Sequence, residues 1–215
     1  MKSISKIAML LMIVLFVSCG EKADEMKQAM EMLEDLPEKA EKIGEAVDKA
    51  EQKQQDRIAR GDTLALNFRE LIEMLPKELD GYTAGEPKGE TVKMAQFSFS
   101  NAEIRFTKQL EDGSNSYVDI NLIDYNSAMQ MYQSAVAMWA AGFSIENSEM
   151  TQKSWEPGIE DCAGFETFYF NKKKGEIQLG VGYRFFVDAS ATHIDDIDFL
   201  KDVVKELPLE KLSKM

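Results

Sequence analysis

The stretch "IQLGVGYRFFV", residues 177–187, alternates apolar and other side chains along its whole length. Ile177, Leu179, Val181, Tyr183, Phe185 and Val187 fall on one side, and Gln178, Gly180, Gly182, Arg184 and Phe186 on the other. Successive side chains of a strand point to opposite faces, so the pattern predicts one long strand with a single face in a core. "NKKKG", residues 171–175, reads as a hairpin turn and makes residues 165–170 the antiparallel partner. In the register this implies, Cys162 stands opposite Phe185, and Phe165 and Tyr169 share the glycine side. Phe165, Tyr169, Gly180 and Gly182 then form a candidate groove, with aromatic rings beside two positions that carry no side chain. It would take a small apolar ligand or a partner's side chain. The same pattern also suits a ring or a helix packed closely over the glycines.

The same period recurs upstream. Val118, Ile120 and Leu122 alternate with Asp119 and Asn121 in a strand over 117–123. "EDGSNS" at 111–116 is a hairpin turn, and strands are expected over 92–99 and 102–107. Asp62 reads as the N-cap of a helix over 63–78, with Leu64, Phe68, Leu71, Ile72 and Leu75 on one face. Asn126 caps a second helix to Ala141, stopped by Gly142. Strands follow near 143–150 and at 165–170. A last helix spans 194–207, ended by Pro208, with His193 at its start beside a Thr192 cap. The order is strand-strand-strand-helix, twice. It implies an α+β domain, a largely antiparallel sheet covered by helices. That element order loosely resembles the PsbP/Mog1-like architecture of envelope lipoproteins and photosynthetic lumen proteins.

The N-terminus reads differently. Lys2 and Lys6 precede an unbroken apolar run over 7–17, too short for a membrane span and suited to a signal-peptide core. Ser18 and Cys19 follow, then the polar Gly20-Glu21-Lys22. This stretch resembles the lipobox of bacterial lipoproteins, with Phe16 where that family favours leucine. The resemblance implies cleavage after Ser18 and acylation of Cys19, a firm anchor when two or more chains are attached. Gly20 after the cysteine argues, by the sorting pattern of such lipoproteins, for the outer membrane over the inner. An ordinary secretory signal is the alternative. Residues 21–60 lack aromatic residues, and apolar side chains recur at helical spacing from Met26 to Ala50. Pro37 suits the first turn of a second helical piece. The expected organisation is a signal over 1–18, a lipid-anchored helical spacer over 19–60 and the α+β domain over 61–215. A coiled coil is the other reading of the spacer.

Of the 215 residues, 38 are acidic and 25 basic, a net charge of −13. That sign excludes the basic footprint a nucleic-acid binder needs, and adhesion to anionic lipid through a polybasic face. With Cys19 acylated, Cys162 is the one remaining thiol, so no intrachain disulfide forms. It is expected to be buried. His193 is the single histidine. Spacing along the strands keeps it far from Cys162, so no cysteine–histidine dyad is expected. One histidine and one thiol cannot make a zinc set, and Asp195, Asp196 and Asp198 are more simply acids in a first helical turn than calcium ligands. "RGD" at 60–62 is explained by the cap alone. No catalytic residue, metal or cofactor is therefore assigned. The expected function is a membrane-anchored envelope lipoprotein with a non-catalytic binding or assembly role, touching the membrane through Cys19 and an envelope protein partner. The alternatives are a periplasmic carrier or sensor of a small apolar ligand, and a carboxylate-dependent hydrolase using Glu103, Asp119 or Glu166.

Overall fold

The computed structural model of the protein describes residues 36–94, 97–126, 142 and 144–215. The expected signal segment, Cys19, the first part of the expected spacer and, beyond Asn126 itself, the helix expected over 126–141 lie outside these residues. In chain order come helix α1 (Leu36–Ala59), helix α2 (Phe68–Ile72) and strands β1 (Thr83–Ala84), β2 (Lys88–Met94), β3 (Phe97–Gln109) and β4 (Asn115–Asp124). Then follow β5 (Ile145–Glu146), β6 (Met150–Trp155), β7 (Cys162–Tyr169), β8 (Lys174–Val181), β9 (Phe185–Thr192) and helices α3 (Asp198–Lys205) and α4 (Leu209–Ser213).

The strands form one open sheet, in the order β1-β3-β4-β9-β8-β7-β6-β5, with β2 also pairing β3. Every pairing is antiparallel. The domain is therefore α+β but rich in strand, two meanders joined where β4 meets β9. One face is apolar: Ile104, Phe106, Ile120, Leu122, Ile177, Leu179, Phe185 and Val187 are buried in one cluster with Leu200, Val203, Val204, Leu209 and Leu212 of α3 and α4. Leu71 of α2, with Leu75 and Leu79, joins the same core.

The strand expected over 177–187 is two strands. Gly182 (φ 63°) and Tyr183 (φ 52°) reverse the chain, and Val181 pairs with Phe185 across the turn. Alternation cannot reveal this reversal, because cross-strand partners share a face and the apolar period runs straight through the hairpin. Gly182 is needed twice over: its φ suits glycine, and a Cβ there would meet the Leu212 carbonyl oxygen at 2.9 Å. The β7–β8 register also differs from expectation. Cys162 faces Val181, not Phe185. The slip is an even number of residues, so the paired side chains of β7 and β8 keep their predicted faces; Tyr183, expected in the core, instead packs with Phe165 and Phe186.

Other boundaries move for local reasons. The strands expected over 92–99 and 102–107 become β2 and one long β3. The serines inside β3 do not end it, because Ser98 Oγ accepts from Ala65 N (2.8 Å) and Ser100 Oγ donates to the Leu66 carbonyl. The strand near 143–150 is β5 and β6, split where Asn147 Oδ1 accepts from the backbone of Glu149 and Met150. The first domain helix is only α2, capped by Asn67 in a reciprocal box with Glu70. Asp62 caps nothing; it is bound to Arg184. The last helix starts at Asp198, five residues after His193, which sits in a left-handed turn (φ 57°). Pro37 does lie in the first turn of α1.

The compact unit runs from Lys39 to Met215, so much of the presumed spacer belongs to the domain. Helix α1 lies on the second sheet face. Ala50 is fully buried, and with Ala46 it packs against Phe165, Tyr125, Tyr183 and Phe186. Small residues let the helix approach the rings closely. Arg57, 2% exposed, donates to Asn126 Oδ1 (2.9 Å) and the Tyr183 carbonyl (3.0 Å). Lys49 and Lys53 clamp Asp161 at 2.5 and 2.9 Å. Burial alone would push the Asp161 carboxyl up, but the hydrogen bonds from the two lysines outweigh it and hold it below the ordinary range. A depressed folded value stabilises the docked state above the unfolded value of about 3.9, and that stabilisation is lost as pH falls through the lower folded one. The protection factors of the α1 amides, taken against intrinsic exchange at each pH, are therefore expected to fall below about pH 4. Asp161→Asn, which keeps the left-handed backbone (φ 58°), should expose the same amides already at neutral pH. Protection factors that do not change with acid in the wild type would disprove the clamp.

Candidate functional site

The second sheet face divides into two parts. Toward the Gly182 turn it is covered by α1 and its aromatic partners. Toward the other end it is polar and, among the described residues, open, a concavity of about 740 Å³ bounded on one side by Gly85, Glu86 and Lys88. Alternation places its side chains in rows across β3, β4, β9 and β8. One row is Glu103, Asn121, Asp188 and Gln178, and the next is Arg105, Asp119, Ser190 and Glu176.

The second row is largely self-neutralised. Arg105 grips Asp119 with a fork, Nε–Oδ1 2.6 Å and Nη2–Oδ2 3.1 Å, a geometry that lysine cannot reproduce. Its guanidinium is held above its usual value by that hydrogen bond and charge. Lys174 pairs with Glu176 at 2.5 Å, and Tyr169 donates to the other Glu176 oxygen at 3.4 Å. In the first row, partial burial pushes the Asp188 carboxyl above the ordinary carboxylate range; Glu176 adds to the shift and Lys174 opposes it. Asn121 Oδ1 is buried with no hydrogen-bond partner among the described residues.

No protein-family model matches the chain. No curated protein and no solved structure matches it either. The site must speak through its own chemistry.

Of the groove expected from sequence, Phe165 and Gly180 come together: Gly180 pairs with Ala163, two residues from Phe165. Both are buried, and Ala46, Ala50 and Phe186 fill the space around the Phe165 ring. Tyr169 lies four residues further along β7, beside the polar concavity. Gly182 is out of the strand, in the turn. The Phe165 ring is thus covered, and the open surface among the described residues is the polar part of the same face. Sequence reasoning passed over Asn121, Asp188, Gln178 and Ser190. The polar side of β4 was visible, but the β9 residues could join it only once β4 and β9 were known to pair.

The three acids named for hydrolysis divide between faces. Glu103 and Asp119 line the concavity. Glu166 lies on the core face, 4% exposed, gripped by Lys201 (2.7 Å) and Lys153 (3.2 Å). Cys162 and His193 stand at opposite ends of the sheet, since Cys162 pairs with Val181 and Thr192 with Lys174. At about 3.3 Å per residue the seven residues between those β8 positions span roughly 23 Å. Burial, with a smaller contribution from Asp161, pushes the Cys162 thiol up to about 12. Thiolate is the reactive form, so Cys162 is expected to ignore Ellman's reagent in the folded protein and react stoichiometrically in denaturant. Rapid labelling in native buffer would contradict this. Among the described residues, no group of three or more His, Cys, Asp or Glu side chains could hold a metal, and no helix is long and apolar enough to cross a membrane.

Proposed function

We propose that this chain is a lipid-anchored binding protein of a bacterial cell envelope, tethered through acylated Cys19 after loss of residues 1–18, with the outer membrane its preferred site. It binds a ligand or an envelope protein partner non-covalently, through the polar concavity between β3 and β8. The observation that carries the binding site is that open half of the sheet face, whose counterpart is filled by α1. A non-catalytic role is supported by the separation of Cys162 from His193 and by the capture of Glu166 in two ion pairs. In this reading the helices form layers over the sheet, the finer arrangement that the element order implies, and about twenty residues separate the anchor from the compact unit. The apolar-carrier alternative would require α1 to leave Phe165.

Native mass spectrometry of the full-length protein, extracted gently from its own membranes, tests both parts. Acyl mass on Cys19 and a stoichiometric companion are the expected result, the companion being lost in the double variant Glu103→Gln/Asp188→Asn. An unprocessed chain without acyl mass refutes the anchor. A companion retained by the double variant moves the binding site elsewhere.

A further inference from the structure

We propose that helix α1 is a releasable strap: its first part, up to Lys53, lifts off the sheet while Arg57 stays fixed, and the lift uncovers an aromatic face. The two ends of the helix are held in different ways. At the far end the buried Arg57 donates to Asn126 Oδ1 at 2.9 Å and to the carbonyls of Tyr183 and Gly182 at 3.0 and 3.5 Å. Asn126 is bonded in turn to Asp62 and Leu64, so withdrawing the arginine would leave fixed, buried acceptors unpaired. Over residues 41–56, by contrast, Ala50 is the one buried residue. It brings a single methyl group to the face, with Ala46 partly buried beside it. Lys49 and Lys53 add their bonds to Asp161, but their side chains are 45% and 38% exposed, and water replaces such pairs at little cost. Lifting the first part therefore loses two methyl contacts, two water-facing ion pairs and the cover over Phe165. Lifting the rest loses the buried arginine as well. The helix peels from its first end and stops at Arg57.

The backbone under the helix points the same way. Asp161, Gly182 and Tyr183 have φ of 58°, 63° and 52°, and Gly182 N donates to the Asp161 carbonyl at 2.8 Å. Glycine takes this left-handed conformation freely, whereas a bulky tyrosine does so only under constraint. Strained residues of this kind persist where their surroundings over-determine them, and they cluster at switch regions. Part of the constraint here is α1 itself, which holds the Asp161 carboxylate through two lysines and the Tyr183 carbonyl through Arg57. Strain relieved at Asp161 offsets part of the cost of lifting. Opening exposes Phe165, buried in the closed form, together with Tyr125, Tyr183 and Phe186. The structure shows the closed form, so the polar concavity stays the accessible part of the face. The chain before α1 leads back to Cys19, so a load on the tether falls on the weaker end of the helix. That last step rests on the anchor proposed above; the strap does not.

The test is thiol labelling of the full chain in detergent, using N-ethylmaleimide on the variant Ala50→Cys and mass mapping of the labelled peptides. The new thiol reports lifting, because position 50 is fully covered. Cys162, in the core on the opposite face, reports global unfolding in the same molecule. We expect the new thiol to label at least about 100-fold faster than Cys162. Adding Val203→Ala, which removes core methyl groups of α3, should accelerate Cys162 at least about tenfold and leave the new thiol unchanged. Equal rates at the two thiols, or equal acceleration of both, would mean that α1 leaves only when the domain unfolds, and would overturn the strap. Hydrogen exchange of the wild type, which carries no added sulfur, decides if the variant fails to fold. A lifted polar helix of this length is marginal alone, so amides 46–53 should exchange well ahead of Gly61 and Asp62, which bond back to Ile58 and Arg57. Exchange of all these amides at one rate would also overturn the strap. Label found on Cys19 would count against the anchor alone, so the two failures are distinct.

Discussion

Arg184→Met is expected to destabilise the protein by about 3–5 kcal/mol, because it leaves a carboxylate buried without its cation. Arg184 and Asp124 are 1% and 0% exposed. The guanidinium reaches both Asp124 oxygens, at 2.9 and 2.8 Å, and a third bond of 2.6 Å goes to Asp62. The Asp124 oxygens also accept from the backbone of Asn126 (2.9 Å) and Leu66 (2.8 Å), so the acid is held in place by groups that stay behind when the arginine is lost. A loss of this size is a large part of the roughly 5–15 kcal/mol that keeps a domain folded. It should appear in urea as a lower midpoint at unchanged slope. Arg184→Lys should recover only part of it, since one ammonium cannot replace three directed bonds. Adding Asp124→Asn to Arg184→Met should recover part as well, by making the orphan neutral. A loss under about 1 kcal/mol for Arg184→Met would show that the buried pair does not hold the domain.

The same network explains which parts of the fold were legible. Asn126 Nδ2 donates to the Asp62 carboxylate (2.9 Å) and to the Leu64 carbonyl (3.0 Å), and Arg57 donates to Asn126 in turn. Three stretches distant in sequence meet here: the end of α1 with the following residues 62–66, the end of β4 and the turn before β9. Asp62 looks like a helix cap because a short polar residue precedes an apolar run, and a local rule cannot see a partner 122 residues away. Arg57 looks like one more solvated charge of a spacer for the same reason. Strands such as β4 were readable, since their alternation records which face is buried. The β8–β9 reversal was not, because period two survives a hairpin whose partners share a face. The polar concavity was unreadable in kind. It is made of the outward residues of four strands, and only the strand order makes them neighbours.

Gly164→Ala should cost about 3 kcal/mol, the upper end of what overpacking usually costs, and the loss should be confined at first to one side of the sheet. A Cβ at Gly164 would fall inside the carbonyl oxygen of Gln178 and within 2.7 Å of Leu179 Cα. Both neighbours are backbone of β8, so no side chain can rotate away. Relief requires β7 to draw back from β8. Strands β5 and β6 reach the rest of the sheet only through β7, so all three should open together. Hydrogen exchange in β5–β7 should therefore accelerate well ahead of exchange in β4 and β9. Gly44→Ala in α1 is the matched control. Nothing lies within 4 Å of its added methyl group, and replacing glycine by alanine inside a helix should stabilise by roughly 0.5–1 kcal/mol. Uniform acceleration throughout the sheet in Gly164→Ala would mean that the nine strands unfold as one unit. A neutral result would mean that β7 and β8 do not approach as closely as the glycine allows.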